Sequence, residues 1–287
     1  MEPTLVVTPP PRTDAGHPLA RGLKSVLVEH KLPYRVARWK DSLCRSVGWK
    51  HRTVAVDGLR FSVRRGTWAD ECILNHVVRD REYHPPGYEI RPGETVIDIG
   101  GNIGGFAVSA ARAAEGGWVY VFEPEPDNFA LLEHNLDRNH CHNVSAVRAA
   151  VTAAAGLVTL SVNADNSGGH SLHRNHGGLG VTVPAVTLQQ ILDEYHIRRC
   201  DYLKIDCEGA EYDILRGLPE RYFARIRRLV LEYHGEPAEK RRMADDLVDH
   251  LRAVGFRIDQ YTDIVGSRGG LVFATNRAET DPPRKPD

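Results

Sequence analysis

The stretch Val96–Phe106, VIDIGGNIGGF, constrains the fold of this chain more than any other. A short apolar run carries an acid near its end and stops at a cluster of glycines; the apolar pattern FAVSAARAA follows. That order reads as buried strand, tight turn and helix. The same rhythm continues downstream. WVYVFE is a strand and PDNFALLEHNLDRNH a helix. VSAVRAAV is a third strand, with GLVTLSV and VTVPAV as extra strands. LQQILDEYH, CDYLKID, GAEYDILRGL, IRRLVLEYH and AEKRRMADDLVDHLRAVG then alternate helix and strand, and FRIDQY with GLVFAT closes as a strand pair. Alternation of this kind predicts an α/β fold with a mostly parallel sheet and helices on both faces.

The glycines invite comparison with a dinucleotide-binding turn, which needs G-x-G-x-x-G. Counting from Gly100, the second glycine slot holds Asn102; counting from Gly101, it holds Ile103. The fingerprint fails in both registers, which disfavours a nicotinamide oxidoreductase. Asp98 at the strand end suits a ligand with an ammonium group and hydroxyls better than a pyrophosphate. Glu123 ends the next strand, where a carboxylate accepts both hydroxyls of a ribose. An adenosine bearing an amino-acid tail, S-adenosylmethionine, satisfies both positions.

Taken together, ETVIDIGGNIGGFAVSAA, VYVFEPEPDNFALLEHNL, NSGGHSL, VTLQQILDEY, CDYLKIDCEGAEYDILRGL and LVLEYHG resemble the FkbM family of S-adenosylmethionine-dependent methyltransferases over roughly residues 70–275. The resemblance implies a class I, Rossmann-like methyltransferase fold with a seven-stranded sheet, and methyl transfer to a hydroxyl of a sugar, nucleoside or polyketide-type natural product in a tailoring step. N-methylation of a peptide or amine is the alternative. It also implies cofactor contacts at Asp98, Gly100, Gly101, Asn102 and Gly104, at Glu123 and Pro124, at Ala150 and Val151 near the adenine, and at Asp206. Gly101, where the family often has alanine, and Gly105, where it often has a bulkier residue, are departures.

In an open α/β sheet the acceptor sits beyond the carboxyl ends of the strands. Those ends carry Asp206, Glu208 and Glu211 on one side and Glu232 and His234 on the other. Methyl transfer to oxygen needs a positioned hydroxyl and a proton acceptor. His234 has the ordinary pKa range for that task, with Asp206 and Glu208 as the other catalytic candidates. Asp206, Glu208 and Glu232 offer the oxygen ligands that Mg²⁺ prefers. Lys204 alternates with Asp206 and pairs with a nearby carboxylate. Expected acceptor contacts are Trp68, Glu71, Asn166, Ser167, Ser171, Glu211 and Glu232. His170, His173 and His176 lie in a glycine-flanked loop that disfavours a helical metal site.

Organisation and composition limit the rest. Residues 1–18 read as a disordered tail and 19–92 as a helical and β-hairpin extension that caps the acceptor pocket or forms a homodimer interface. Residues 93–276 form the methyltransferase domain, and 277–287 a second tail. A formal net charge of −1 gives no basic field for nucleic acid. There is no long apolar run for a membrane span and no basic, apolar leader, so the expected location is cytoplasmic. Five irregularly spaced cysteines without C-x-x-C give neither a disulfide framework nor a zinc site.

Overall fold

The computed structural model describes residues 50–161, 180–235, 240–263 and 269–279. The elements upstream of residue 50, Asn166, Ser167, Ser171 and the three loop histidines lie outside the described residues. Chain order begins with a hairpin, β1 (His51–Val56) and β2 (Leu59–Arg64). Its two-residue turn has Asp57 at φ 48° and Gly58 at φ 77°, the paired left-handed conformation that matches strand twist. Helix α1 (Ala69–Leu74) follows and widens into a π turn over Asn75–Arg79.

The core alternates as expected: β3 (Thr95–Ile99), α2 (Gly105–Ala113), β4 (Trp118–Phe122), α3 (Pro126–Arg138) and β5 (Val144–Val147). The predicted third strand does not run on. It breaks at Arg148, and β6 (Ala150–Val151) leaves the main sheet to pair with β8 (Gly180–Val186), which also pairs with β7 (Gly156–Ser161). Then come α4 (Leu188–Glu194), β9 (Tyr202–Ile205), α5 (Glu211–Gly217), α6 (Glu220–Phe223), β10 (Arg228–His234), α7 (Lys240–Ala253), β11 (Phe256–Asp263) and β12 (Gly269–Asn276).

The main sheet has the order β11-β12-β10-β9-β3-β4-β5. Strands β5, β4, β3, β9 and β10 are mutually parallel, and β12 runs antiparallel to both of its neighbours. The chain winds outward from β3 through β4 to β5, then returns to β9 and winds the other way. The reversal falls between β3 and β9, which is where an open sheet forms a ligand crevice. Central strands read as continuous apolar runs because both faces are covered: Val96, Ile97, Leu203, Ile205, Val230 and Leu231 are fully buried. Each such side chain contributes roughly 1.5–3 kcal/mol relative to exposure.

The hairpin is fastened to this core by polar side chains of α3 and its C-cap, among them Asn139, which exchanges hydrogen bonds with the Arg60 backbone at 3.0 and 2.8 Å. Buried Asn135 on α3 accepts from the Ser62 amide at 2.6 Å and donates to the Ile103 carbonyl at 2.8 Å. The region before β3 therefore packs on the helix behind the glycine turn. Among the described residues, no helix is long and apolar enough to cross a membrane.

Candidate active site

At the end of β3 the chain turns through Gly100, φ 83°, Asn102, φ 50°, and Gly104, φ 91°. The amides of Gly100 and Gly101 both donate to the Phe122 carbonyl at 3.0 Å, closing the turn over β4. Gly100 has no room for a side chain: a Cβ there would stand 1.7 Å from the Asp206 carbonyl oxygen. Gly101 is crowded by side chains instead, with Val121 Cγ2 at 2.3 Å and Leu132 Cδ1 at 2.7 Å from a built Cβ. An alanine there requires these two methyl groups to shift. Gly105 is different, since its nearest obstacle is the tip of Leu74 at 3.1 Å. Gly104 caps α2 and lines neither of the two cavities described next.

Two cavities open on the turn. The first runs along Ile99, Phe122, Glu123, Pro124, Ala149, Ala150, Val151 and Leu160. It is apolar at the β6 end and has the buried Glu123 carboxylate between. Glu123 accepts from the Asn102 amide at 2.8 Å and from the Glu125 amide at 2.9 Å. Burial raises its pKa to about 7. A carboxylate flanked by apolar walls suits the ribose and base of an adenosine, so the residues present fit the nucleoside that the sequence implies.

The second cavity, about 350 Å³, is lined by Trp68, Ile73, His76, Glu82, Tyr83, Phe106 and the acidic strand ends. That is room for a small molecule. Gly100, Asn102, Asp206 and Glu208 line both cavities. The floor of the second cavity holds Asp206, Glu208, Glu232 and His234 together. The Tyr83 hydroxyl bridges Glu232 Oε2 at 2.6 Å and Asp206 Oδ2 at 3.0 Å.

The histidine is enclosed by carboxylates. Its Nδ1 lies 3.3 Å from Glu211 Oε1, and the same oxygen accepts from the His234 amide at 2.6 Å. Its Nε2 faces Glu232 Oε1 at 3.5 Å, and Asp206 Oδ1 and Glu208 Oε1 at 3.9 Å each. Burial opposes the charged ring, but the hydrogen bonds to Glu211 and Glu232 prevail and hold its pKa well above the usual range. The neighbouring carboxylates thus favour the protonated ring, whose Nε2 is turned toward Glu232, Asp206 and Glu208. Burial, and then the charge of Glu232, raises the pKa of Asp206. Burial, with Glu232 and Asp206 nearby, lifts Glu82 to about 7.

Other candidates stand elsewhere than the sequence places them. Asp98 is fully buried, lines neither cavity and pairs with Lys204 Nζ at 3.1 Å; the ammonium it meets is the protein's own. Lys204 also donates to the Gly100 carbonyl at 2.7 Å. Glu211 is wholly buried and touches His234 and the Gly209 amide, so it supports the site from beneath and does not line it. Glu71 pairs with Arg52 outside both cavities, whereas Trp68, 64% exposed, does stand at the second cavity. As for the all-carboxylate metal trio, the ligand atoms within 4.8 Å of one another belong to Asp206, Glu232 and His234, without Glu208. Tyr83 and Glu82 were not anticipated. The only signal near them, the loop marked by Pro85 and Pro86, says nothing of partners 123 and 149 positions away.

A seven-stranded sheet of this order, reversed only at β12, is the architecture of class I methyltransferases, and the chain is an S-adenosylmethionine-dependent methyltransferase. Residues 98–258 match the family model described as the methyltransferase FkbM domain, and the chain belongs to that family. It is 30% identical over 220 residues to the 31-O-demethyl-FK506 methyltransferase FkbM of Streptomyces tacrolimicus, covering 66% of this chain and 82% of that protein. It is 29% identical over 229 residues to the AMB antimetabolite synthetase AmbE of Pseudomonas aeruginosa, covering 66% of this chain but 11% of that far longer protein. Among solved structures, Aeropyrum pernix fibrillarin with natively bound S-adenosyl-L-methionine aligns over 79% of this chain and 83% of its own with a TM-score of 0.44 and 11% identity.

Proposed function

We propose that the protein transfers a methyl group to a hydroxyl of a small, uncharged or cationic molecule in a biosynthetic tailoring step. The observation that carries this reading is the junction of the two cavities at Gly100, Asn102, Asp206 and Glu208. Bound S-adenosylmethionine supplies an electrophilic methyl on a sulfonium. Gly100, Asn102, Glu123, Pro124, Ala150 and Val151 hold its nucleoside and tail in the first cavity, and the acceptor occupies the second. An acceptor oxygen at the junction forms the new bond to the methyl carbon as the thioether leaves, and its proton passes to a carboxylate.

Glu208 is that carboxylate in our reading. It lines both cavities, and its φ of 56° is a left-handed conformation that a non-glycine residue keeps only where the surroundings enforce it. The acidic lining of Glu82, Asp206, Glu208 and Glu232 disfavours acceptors bearing phosphate or carboxylate. The printed name of the Streptomyces relative, an O-demethyl compound's methyltransferase, supports oxygen as the atom methylated.

The test is incubation with methyl-labelled cofactor and a hydroxyl-rich metabolite extract, followed by mass spectrometry of the labelled products. Ether products support the reading, whereas exclusively N-methylated products would replace it. Glu208→Gln should abolish most turnover toward the acceptor so found while leaving its KM within a fewfold.

A further inference from the structure

We propose that Asp206, Glu232 and His234 form a binding site for a first-row transition-metal dication such as Mn²⁺ or Zn²⁺, supported from behind by Tyr83 and Glu211. The three ligand atoms come from the facing ends of β9 and β10. His234 Nε2 stands 3.5 Å from Glu232 Oε1 and 3.9 Å from Asp206 Oδ1. Ligand atoms around a tetrahedral dication with bonds of about 2.1 Å stand about 3.4 Å apart, so small side-chain rotations close the set.

The surroundings point the same way. Each of the three side chains has its other polar atom tied back by a neighbour. Tyr83 holds Glu232 Oε2 at 2.6 Å and Asp206 Oδ2 at 3.0 Å, which leaves Oε1 and Oδ1 turned toward the imidazole. Glu211, itself fully buried, takes Nδ1–H and so directs Nε2 inward. Carboxylate-to-histidine support and hydrogen-bonded ligand carboxylates are what metal sites need to fix ligand orientation. His234 is only 7% exposed, and its inward nitrogen faces these oxygens at the cavity floor.

Lys204 stands 3.7 Å from Asp206 Oδ2, the oxygen that is also held by Tyr83, and is balanced by Asp98. An imidazole ligand beside two carboxylates favours Mn²⁺ or Zn²⁺ over Mg²⁺, which prefers oxygen and water in near-ideal octahedral geometry. At the floor of the acceptor cavity such an ion binds the hydroxyl to be methylated and lowers its pKa. This last point rests on the proposed function, but occupancy of the site does not.

The experiment uses the full-length chain stripped with chelator and needs neither cofactor nor acceptor. Loss of the free Mn²⁺ electron paramagnetic resonance signal gives stoichiometry and affinity. One ion per chain is expected, displaced by equimolar Zn²⁺ but not by equimolar Mg²⁺. Glu232→Gln should abolish binding, and Tyr83→Phe should weaken it about 10- to 100-fold. Circular dichroism verifies that both variants fold. Should Glu232→Gln misfold, His234→Gln takes its place in the same assay. Absence of binding at millimolar Mn²⁺, retention of full affinity in the ligand variant, or equal displacement by Mg²⁺ overturns the proposal. A failed search for O-methylated products leaves these outcomes untouched.

Discussion

Replacing Gly100 by alanine tests whether the turn is shaped by backbone contact. The residue holds φ at 83°, which costs a residue with a Cβ about 1–2 kcal/mol. The added methyl would also lie 1.7 Å from the Asp206 carbonyl oxygen and 2.8 Å from its carbon. Neither atom belongs to a side chain that can swing away. The Asp206 amide is itself bound to the Ile99 carbonyl at 3.0 Å, so relief requires β9 to separate from β3 at the switch point. Overpacking of this sort costs about 1–3 kcal/mol. The sum, about 2–5 kcal/mol, corresponds to a melting temperature lower by about 4–20 °C for a domain of this size. Gly116 supplies the control, because it has φ 80° but nothing within 4 Å of a built Cβ. Gly116→Ala therefore shows the conformational part alone. Thermal melts of the two variants, with S-adenosylhomocysteine affinity by calorimetry, give the comparison. Gly100→Ala should melt well below Gly116→Ala and lose most of its affinity. Equal melting temperatures would mean that the close approach of β9 to the turn does not shape the site.

Other consequences follow from the charges. Glu123, with its pKa raised to about 7 by burial, must be ionised to accept two ribose hydroxyls. S-adenosylhomocysteine affinity should then fall about tenfold between pH 8 and pH 6; a flat profile would exclude Glu123 from the ribose contact. The sign for folding is opposite: a raised folded-state pKa favours folding at low pH, and that contribution is lost as pH rises through about 7. Lys204→Met leaves the buried Asp98 unpaired and should cost about 3–5 kcal/mol in denaturant unfolding, partly recovered by adding Asp98→Asn. His234→Ala should leave S-adenosylhomocysteine affinity within about twofold, since the ring lines only the second cavity, while methyl transfer falls.

Much of the fold was legible because strand and helix periods differ and glycine and proline punctuate them. The places of β3, β4 and the final strand pair follow from the apolar pattern to within about two residues at each end. The break of the predicted third strand at Arg148 was not legible. RAAV carries the same apolar and β-branched signal whichever strand it pairs with, and here β8, some thirty positions on, takes Ala150 and Val151 away from the main sheet. The π turn after α1 is likewise silent in the sequence, since its residues keep a helical apolar pattern.

The position of a site residue was legible where a strand end determines it; its partner was not, because that depends on what stands opposite. Asp98 shows why. An acid at the end of the first strand faces the ligand crevice only if its side chain points up out of the sheet. In this chain β3 and β9 are in register, with Asp98 beside Lys204, and the pair closes on itself at full burial. The pairing matters for the site all the same. Lys204 binds the Gly100 carbonyl, and its ammonium is the only cation between Asp98 and Asp206 among the described residues. Without it the turn would lose a tether, and two carboxylates would face each other across the switch point in a low dielectric, where unpaired charge is costly. The acid of the glycine motif thus acts at one remove: it fixes the lysine, and the lysine fixes the turn and one edge of Asp206, which lines both cavities together with Gly100, Asn102 and Glu208.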